Sequence, residues 1–206
     1  MSVYYHSYLS PYARRVLIVL FEKGLNPERV KYTYAREFDG LAEINPCLLL
    51  PVYIEDGMQL WGSNLIIEYL MSKYSNLHTV ANPPLANTMT RPEHHWQDSK
   101  VLVTLETMTD SIMNLRQMKM SGVEPEQVTY LRRQRARIDT ILDWLEKQAT
   151  REGFAPGIFS IMDLNLICAL GNIDNRKSFE WRGRPTLEAI YARYADRPSV
   201  KATVAE

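Results

Sequence analysis

The sequence predicts an α+β fold in which a small mixed sheet with helices comes first and an all-helical domain follows. Three observations predict this fold class. Short β-branched and aromatic runs alternate with helical patterns only up to about Tyr74. A proline-containing break, "NLHTVANPPLANT", comes next and cannot continue a helix. Beyond this break the strand signals disappear, and apolar residues recur with helical spacing.

The first elements are predicted to be a strand, a helix and a second strand, which together form a βαβ unit. Val3 to His6 is β-branched and aromatic, as is typical of a strand. The helix that follows carries one apolar stripe, formed by Val16, Leu17, Leu20 and Phe21. The charged residues of this helix lie off that stripe: Arg14, Arg15, Glu22 and Lys23. Gly24 is suited to end the helix. The second strand is predicted from the alternation of Val30, Tyr32 and Tyr34 with polar residues.

A hairpin and a further helix are predicted to complete the first domain. Pro51 to Glu55 and Met58 to Trp61 have strand character, and the intervening Asp56-Gly57 is a strong signal for a two-residue turn. Ser63 is suited to cap the next helix, whose apolar residues are Ile66, Ile67 and Leu70. The order of elements is therefore βαβ and then ββα.

The second half of the chain is predicted to contain only helices. Pro92 to about Met120 has a long helical pattern, and Pro125 suits the first turn of the next helix. The apolar face of that next helix consists of Val128, Leu131, Ile138, Ile141, Leu142 and Leu145. Ser160 and Asp163 have the spacing of a capping box before the segment "LNLICAL". Pro185 opens a final helix.

Composition excludes several classes of partner. The formal net charge is zero, which does not favour nucleic acid or an anionic membrane. No apolar run approaches the length of a membrane span, and no signal peptide precedes the first strand, so we expect a cytoplasmic protein. Cys47 and Cys168 lie far apart and predict two free thiols. His94 and His95 are adjacent and point in different directions on a helix, so we expect no metal site.

The segment "YLSPYARRVLIVL" places Ser10 and Pro11 at the junction between the first strand and the first helix. Ser is a favoured N-cap and Pro a favoured first helical residue, so capping alone explains the dipeptide. A hydroxyl at this position also lies beside unpaired N–H groups and the positive end of the helix dipole, where the thiolate form of an incoming thiol is stabilised. The residues alone leave both interpretations open.

Four segments together resemble the bacterial branch of the glutathione transferase superfamily. They are "SPYARRVLIVLFEKGL", "NPCLLLPVYIEDGMQLWGSNLIIEYL", "SIMDLNLICAL" and "WRGRPTLEAIYARYADRPSVKAT". The resemblance covers nearly the whole chain, and the segments follow one another in the order of the family. It implies a thioredoxin-like, glutathione-binding domain at residues 1–78, a linker at 79–88 and an all-helical domain at 89–206. It also implies a homodimer.

The resemblance implies a glutathione site as well. Ser10 stands at the position of the activating residue, whose hydroxyl donates a hydrogen bond to the glutathione sulfur, so that the thiolate is the nucleophile. Pro51 stands at the position of a cis-proline, which allows the main chain of Leu50 to pair with the cysteinyl backbone. Gly62 and Ser63 stand at the γ-glutamyl subsite, where the Ser63 hydroxyl and helical N–H groups approach the carboxylate.

The same resemblance places an apolar electrophile against the first helices of the second domain. The large, adaptable residues there are Trp96, Met108, Met113 and Met118, although methionine at helical spacing is more often core. Other hydroxyl groups near Ser10 compete with it for the activating role: Tyr4, Tyr5, Ser7 and Tyr8. Tyrosine activates the thiol in other branches of the superfamily, but no tyrosine here matches the motif as well as Ser10.

The chain departs from the family's glutathione site at three positions. The family usually has an acidic or amide residue before the serine of the γ-glutamyl subsite, and here it is Gly62. The Gly-Lys that often precedes the cis-proline is replaced by Leu48 and Leu49. A missing charged contact is typically worth about 1.5 to 3 kcal/mol, so binding is expected to be weaker. Arg14, Arg36 or a residue of the dimer partner are candidates to compensate.

The resemblance predicts a cytosolic glutathione transferase, with glutathione as substrate and no metal, that conjugates or reduces small apolar electrophiles in detoxification. The alternative is a binding or regulatory protein that keeps the scaffold but has a weakened glutathione site, because of the three departures. A third interpretation is a thiol–disulfide enzyme that uses Cys47. The apolar neighbours of Cys47 favour an inert, partly buried thiol instead.

Overall fold

The computed structural model describes residues 1–32, 40–77, 81–86 and 91–204. The chain divides into two compact units. The first unit comprises Met1–Leu85 and the C-terminal segment that begins at Arg197, whereas the second comprises Ala86–Asp196. A mixed sheet lies in the first unit and the second is mainly helical, so the predicted fold class is confirmed. The domain limits at residues 78 and 89 stay a prediction. The spacing of apolar residues in the sequence does not indicate that the C-terminal segment belongs to the first unit.

The first unit is built on a four-stranded sheet with the strand order β2-β1-β3-β4. Its strands are β1 (Ser2–His6), β2 (Glu28–Lys31), β3 (Val52–Glu55) and β4 (Met58–Trp61). β1 pairs in parallel with β2, and β3 is antiparallel to β1 and β4. Asp56 and Gly57 both have positive φ, 50° and 84°, as a two-residue hairpin turn of this kind requires. The predicted hairpin is therefore confirmed, whereas Tyr34 of the predicted second strand lies outside the described residues.

The same unit contains three helices that alternate with its strands along the chain: α1 (Pro11–Glu22), α2 (Leu41–Ile44) and α3 (Ser63–Lys73). α1 begins at Pro11 as predicted and ends as predicted before Gly24, whose φ is 64°. The Gly24 N–H donates to the Phe21 carbonyl and the Leu25 N–H to the Leu20 carbonyl, at 3.0 and 2.8 Å. These two bonds form a Schellman motif, which satisfies carbonyls that the helix end leaves without partners.

The predicted polar face of α1 is wrong. Arg15, Glu22 and the C-cap Lys23 are 1%, 2% and 6% exposed, whereas Phe21 of the predicted apolar stripe is 41% exposed. A periodicity of apolar residues identifies one buried face, but it cannot show that a further layer of the protein covers the opposite face. α1 is therefore buried on nearly all sides, and its charged residues need partners inside the unit.

The C-terminal segment supplies one of those partners. Arg197 donates to both carboxylate oxygens of Glu22, at 2.7 and 2.8 Å, and to the Pro83 carbonyl at 2.7 Å. Ser199 also donates to Glu22. The segment continues as α8 (Pro198–Lys201), which packs on α1. A buried carboxylate without a cation is strongly unfavourable, so Glu22 ties this segment to the first unit.

The second unit contains four long helices: α4 (His95–Met120), α5 (Thr129–Gln148), α6 (Ile161–Arg176) and α7 (Pro185–Ala195). The predicted apolar face of α5 is buried except at Val128, which precedes the helix and is 37% exposed. Pro125 opens a separate 3₁₀ turn, Pro125–Gln127, and not α5 itself. Two short strands, β5 (Leu85–Ala86) and β6 (Phe159–Ser160), complete the described elements. Asn82-Pro83 in the proline-containing break has a cis peptide bond.

The predicted capping box at the start of α6 is confirmed. The Ser160 Oγ accepts from the Asp163 N–H at 3.1 Å, and the Asp163 carboxylate accepts from the Ser160 N–H at 3.0 Å. The carboxylate also accepts from the Phe154 N–H at 3.0 Å. Burial raises the pKa of Asp163 to about 6, although these hydrogen bonds oppose the shift. A Cβ at Gly153 would lie 2.7 Å from this carboxylate. The loop that contains Gly153 can therefore approach Asp163 this closely only because it has glycine at this position.

We expect Ser160→Ala to lower the free energy of unfolding by about 0.5 to 2 kcal/mol, because the Asp163 N–H loses its acceptor in a buried environment. Urea denaturation monitored by circular dichroism measures this change. Ser121→Ala is the matched control, because that hydroxyl is exposed and donates to the Gln117 carbonyl without capping a free N–H group. Equal losses in the two variants would contradict a specific contribution of the cap.

Candidate functional site

Ser10 is the N-cap of α1, as predicted. Its backbone is extended, with φ −86° and ψ 123°, and its Oγ accepts from the Ala13 N–H at 3.3 Å. The residue is 8% exposed. Among the described residues, no acceptor for the Ser10 hydroxyl hydrogen is found. The hydroxyl can therefore cap the helix with its oxygen and still donate its hydrogen to a ligand atom.

The neighbouring tyrosines differ from Ser10 in their surroundings. The Tyr4 hydroxyl is buried and donates to the Ala13 carbonyl at 2.8 Å, so it serves packing. The Tyr5 ring lies against Tyr32, with ring centroids 6.1 Å apart. Tyr8 is 47% exposed, and the Lys31 Nζ lies 4.3 Å from its ring centre. Tyr4 is therefore committed to the core, whereas Tyr8 is the exposed tyrosine beside the start of α1.

His6 at the end of β1 adds no positive charge near Ser10 at neutral pH. Its ring is stacked on Tyr4, with centroids 5.2 Å apart, and is only 3% exposed. Burial, together with the charges of Arg29 and Lys31, lowers the pKa of His6 to about 4. Stabilisation of an anion at this end of the sheet therefore depends on the α1 terminus and not on an imidazolium.

The loop between α2 and β3 begins at Asn45 and Pro46. It is organised by Asn45, whose side chain is almost completely buried. Its amide donates to the Leu49 carbonyl at 2.7 Å, and its Oδ1 accepts from the Cys47 N–H at 2.9 Å. Leu48 has positive φ, 55°, and Leu49 is 66% exposed. Cys47 is exposed, so the expectation of a partly buried thiol is wrong. The Asn45 hydrogen bonds turn the loop so that its apolar side chains lie at the surface.

The Leu50-Pro51 peptide bond is cis, as the sequence predicted. Pro51 is buried and directly precedes β3, whereas Leu50 is half-buried. Within the described residues, the N–H and C=O of Leu50 enter no turn, loop or cap hydrogen bond. The Leu50 main chain thus offers one donor and one acceptor next to the sheet.

The start of α3 differs from the prediction. Gly62 is the N-cap, with φ 82° and ψ 116°, and Ser63 is the first helical residue. The prediction that Ser63 caps this helix is therefore wrong, because the N-cap is Gly62, whose positive φ glycine adopts without strain. Ser63 is 4% exposed, and its hydroxyl makes no hydrogen bond within the described part of the chain. The Ser63 hydroxyl and the first N–H groups of α3 therefore form a cluster of hydrogen-bond donors, and no side chain caps these N–H groups from the N-cap position.

Arg15 links the second turn of α1 to the first turn of α3. Its Nη1 donates to the Asn64 Oδ1 at 3.1 Å, and its guanidinium lies 4.9 Å from the Tyr12 ring centre. Sequence reasoning assigned Arg15 only to a polar face and missed this contact, which no local pattern signals. Arg14 differs, because its Nη2 donates to the Val200 carbonyl of α8 at 3.2 Å. Arg36, the other arginine proposed to compensate, lies outside the described residues.

In the second unit the residues assigned to the electrophile differ in exposure. Met108 and Met113 are buried in the core, at 0% and 8% exposure, so we assign them to packing. Trp96 and Met118 are 82% and 41% exposed. The four arginines in the first half of α5 are exposed, while Leu131 and Gln134 beside them are buried, which is the pattern of a solvated helix face.

The described residues contain neither a metal-binding cluster nor a membrane-spanning helix. No group of three or more His, Cys, Asp or Glu residues has an arrangement that could hold a metal ion. None of the described helices combines the length and apolar character needed to cross a membrane. Each finding applies only to the part of the chain that the structure describes.

Comparison with known proteins gives consistent results along the chain. Residues 5–81 match the family model of the glutathione S-transferase N-terminal domain, and residues 129–193 match that of the C-terminal domain. A GST-like protein of Escherichia coli K12, YibF, is 26% identical over 176 residues, which is 83% of this chain and 81% of the relative. That relative is itself uncharacterized.

Solved structures agree with these matches. A glutathione S-transferase of Methylobacillus flagellatus with glutathione bound has a TM-score of 0.82 and 24% identity over the whole of both chains. A glutathione transferase family member of Pseudomonas fluorescens Pf-5, also with bound glutathione, has a TM-score of 0.79 and 26% identity over the same full coverage. The two family models together match more than half of the residues, and the chain belongs to the glutathione S-transferase superfamily.

Proposed function

We propose that this protein is a glutathione transferase in which Ser10 stabilises the glutathione thiolate for attack on a small apolar electrophile. The observation that carries the proposal is the Ser10 hydroxyl, which caps α1 and keeps its hydrogen available for a ligand. Superfamily membership and the glutathione bound to similar proteins support it. A cytoplasmic location and a role in detoxification remain predictions from the sequence.

In the proposed reaction, the N-terminus of α1 stabilises the negative charge of the thiolate. The thiol gives its proton to water, and the resulting thiolate accepts a hydrogen bond from the Ser10 O–H. The positive end of the α1 dipole stabilises the same charge. The sulfur then forms a bond to the electrophilic carbon while the leaving group departs with its electron pair. Reduction of a peroxide by the same thiolate is a related reaction of this site.

The remaining parts of glutathione are proposed to bind mainly to the protein main chain. The Leu50 N–H and C=O next to Pro51 pair with the cysteinyl backbone in the manner of an added strand. The Ser63 hydroxyl and the first N–H groups of α3 receive the γ-glutamyl carboxylate. Gly62 contributes backbone only, since it has no side chain. Two side-chain contacts that the resemblance implies are therefore absent here, which weakens affinity but leaves the main-chain contacts in place.

We expect calorimetry to show glutathione binding with a dissociation constant near the millimolar range, because main-chain contacts operate without the charged side chains. The dipeptide cysteinylglycine is the matched ligand, since it lacks the γ-glutamyl residue, and it should bind roughly tenfold or more weakly. Ser63→Ala should weaken glutathione binding by about two- to tenfold and leave dipeptide binding unchanged. Absence of glutathione binding at millimolar concentration would contradict the proposal.

Ser10→Ala is expected to lower turnover with a standard aromatic electrophile more than it lowers affinity for glutathione. Loss of the Ser10 hydroxyl removes a hydrogen bond to the glutathione sulfur. The apparent pKa of the bound thiol should therefore rise, and the pH–rate profile should move to higher pH. Steady-state kinetics between pH 6 and 9 measure both effects. Ser7→Ala is the control, because it removes a nearby hydroxyl but keeps the carbonyl that accepts from the Ser10 N–H. Unchanged turnover in Ser10→Ala would exclude this role.

A second function is favoured by Gly62, Leu48 and Leu49. A binding or regulatory protein with this scaffold needs neither tight glutathione binding nor an activated thiol. Leu48 and Leu49 are exposed at 39% and 66%, where the resemblance implies a glycine and a cation. Failure to bind glutathione, with the fold intact by circular dichroism, would favour this function.

We also propose that the protein is a homodimer. Each unit presents large apolar side chains to solvent: Leu65 on α3 is 51% exposed, and Trp96 and Val103 on α4 are 82% and 66% exposed. Large apolar side chains at the surface mark interaction sites when they group together. Analytical ultracentrifugation should give a dimer, and Val103→Glu should shift it towards the monomer. Met120→Glu, at another exposed position of α4, is the control. A monomeric wild-type protein would contradict this proposal.

A further inference from the structure

We propose that Arg15 and Asn64 form a positioning pair that sets the N-terminal halves of α1 and α3 relative to one another, so that one glutathione molecule reaches both Ser10 and Ser63. This inference rests on the proposed function. It adds two residues to the site that neither the motif around Ser10 nor the departures at Gly62 identify.

The pair joins the N-terminal halves of the two helices directly. Arg15 lies five residues after Ser10 on α1, and Asn64 directly follows Ser63 on α3. The 3.1 Å hydrogen bond from the Arg15 Nη1 to the Asn64 Oδ1 therefore connects the second turn of α1, next to the turn that Ser10 caps, to the first turn of α3, which holds the proposed carboxylate site. Packing of Tyr12 against the guanidinium restrains the direction of the arginine side chain.

Burial of Arg15 is costly in itself. The side chain is 1% exposed, and taking a guanidinium out of water carries a large desolvation cost. Apolar residues of similar size often replace buried charged groups without loss of stability. What an apolar residue cannot supply at this position is a directional hydrogen bond to the start of α3, which Arg15 makes through Asn64.

The neighbouring arginine shows that this placement is specific. Arg14 and Arg15 are adjacent on α1, but the Arg14 guanidinium reaches the Val200 carbonyl of the C-terminal segment. Adjacent helical residues point in different directions, so only Arg15 of the two contacts α3 through Asn64. The two arginines therefore tie α1 to different neighbours, and the link to the glutathione site is assigned to Arg15.

The test is a double-mutant cycle on the full chain with Arg15→Met, Asn64→Ala and the double variant. We expect each single change to raise KM for glutathione by roughly tenfold, since a hydrogen bond to a charged group is lost. The double variant should be no worse than Arg15→Met alone, because the hydrogen bond to Asn64 is already absent in that variant. In Asn64→Ala, turnover at saturating glutathione and the apparent pKa of the bound thiol should stay at wild-type values, because Ser10 and the buried cation of Arg15 are both retained.

Two further variants separate positioning from folding. Arg15→Lys keeps the charge and one donor, and should recover part of the KM loss seen in Arg15→Met. Arg184→Met in the second unit removes an arginine that pairs with Asp143 and Asp139, and should lower stability without changing KM for glutathione. Asn64 is exposed, so Asn64→Ala is expected to fold even where Arg15→Met does not.

The outcomes distinguish this inference from the proposed function. Wild-type activity with unchanged KM in Asn64→Ala, or additive effects in the double variant, would overturn the pair and leave the proposed function standing. A KM increase in Arg184→Met as large as in Asn64→Ala would overturn it too, because the effect would then report general destabilisation. Absence of glutathione binding to the wild-type protein would overturn both.

Discussion

The burial of α1 is the constraint on which the first unit depends. A helix that is covered on nearly all sides cannot leave its charged residues in water, so each one needs a partner from another element. Glu22 is neutralised by Arg197 and Arg15 reaches Asn64, while the partly exposed Arg14 donates to the Val200 carbonyl. These contacts attach α3 and the C-terminal segment to α1. The helix that carries Ser10 at its start is thereby held from several directions.

This constraint also determines how the proposed site can recognise an anion. A rigid helix start presents its free N–H groups in fixed directions, and such groups stabilise negative charge without a charged side chain. Ser10 at α1 and Ser63 at α3 each add a hydroxyl to such a start. His6 is neutral at physiological pH because of its burial, and Gly62 has no side chain. In the proposed site, anion stabilisation is therefore assigned to the two helix starts, with Arg29 and Lys31 as the charged side chains that act near His6.

The parts of the structure that the sequence predicted are those determined by neighbouring residues. Asp56-Gly57 predicted the hairpin, and Ser160 with Asp163 predicted the capping box, because each motif specifies its own backbone. Ser63 was misassigned as a cap because Ser is favoured there, but the N-cap is Gly62, whose positive φ glycine adopts without strain. The partners of Arg15, Glu22 and Arg14 could not be predicted, since they lie 49, 175 and 186 residues away in sequence.

The departures from the family site concern affinity more than chemistry. Loss of two charged contacts, each worth about 1.5 to 3 kcal/mol, is enough to move a micromolar dissociation constant to the millimolar range, a change of about 4 kcal/mol. In the proposed reaction the rate of the chemical step depends instead on interactions that act on the sulfur, which we assign to Ser10 and the start of α1. Weak glutathione binding and an active thiolate are therefore compatible in one protein.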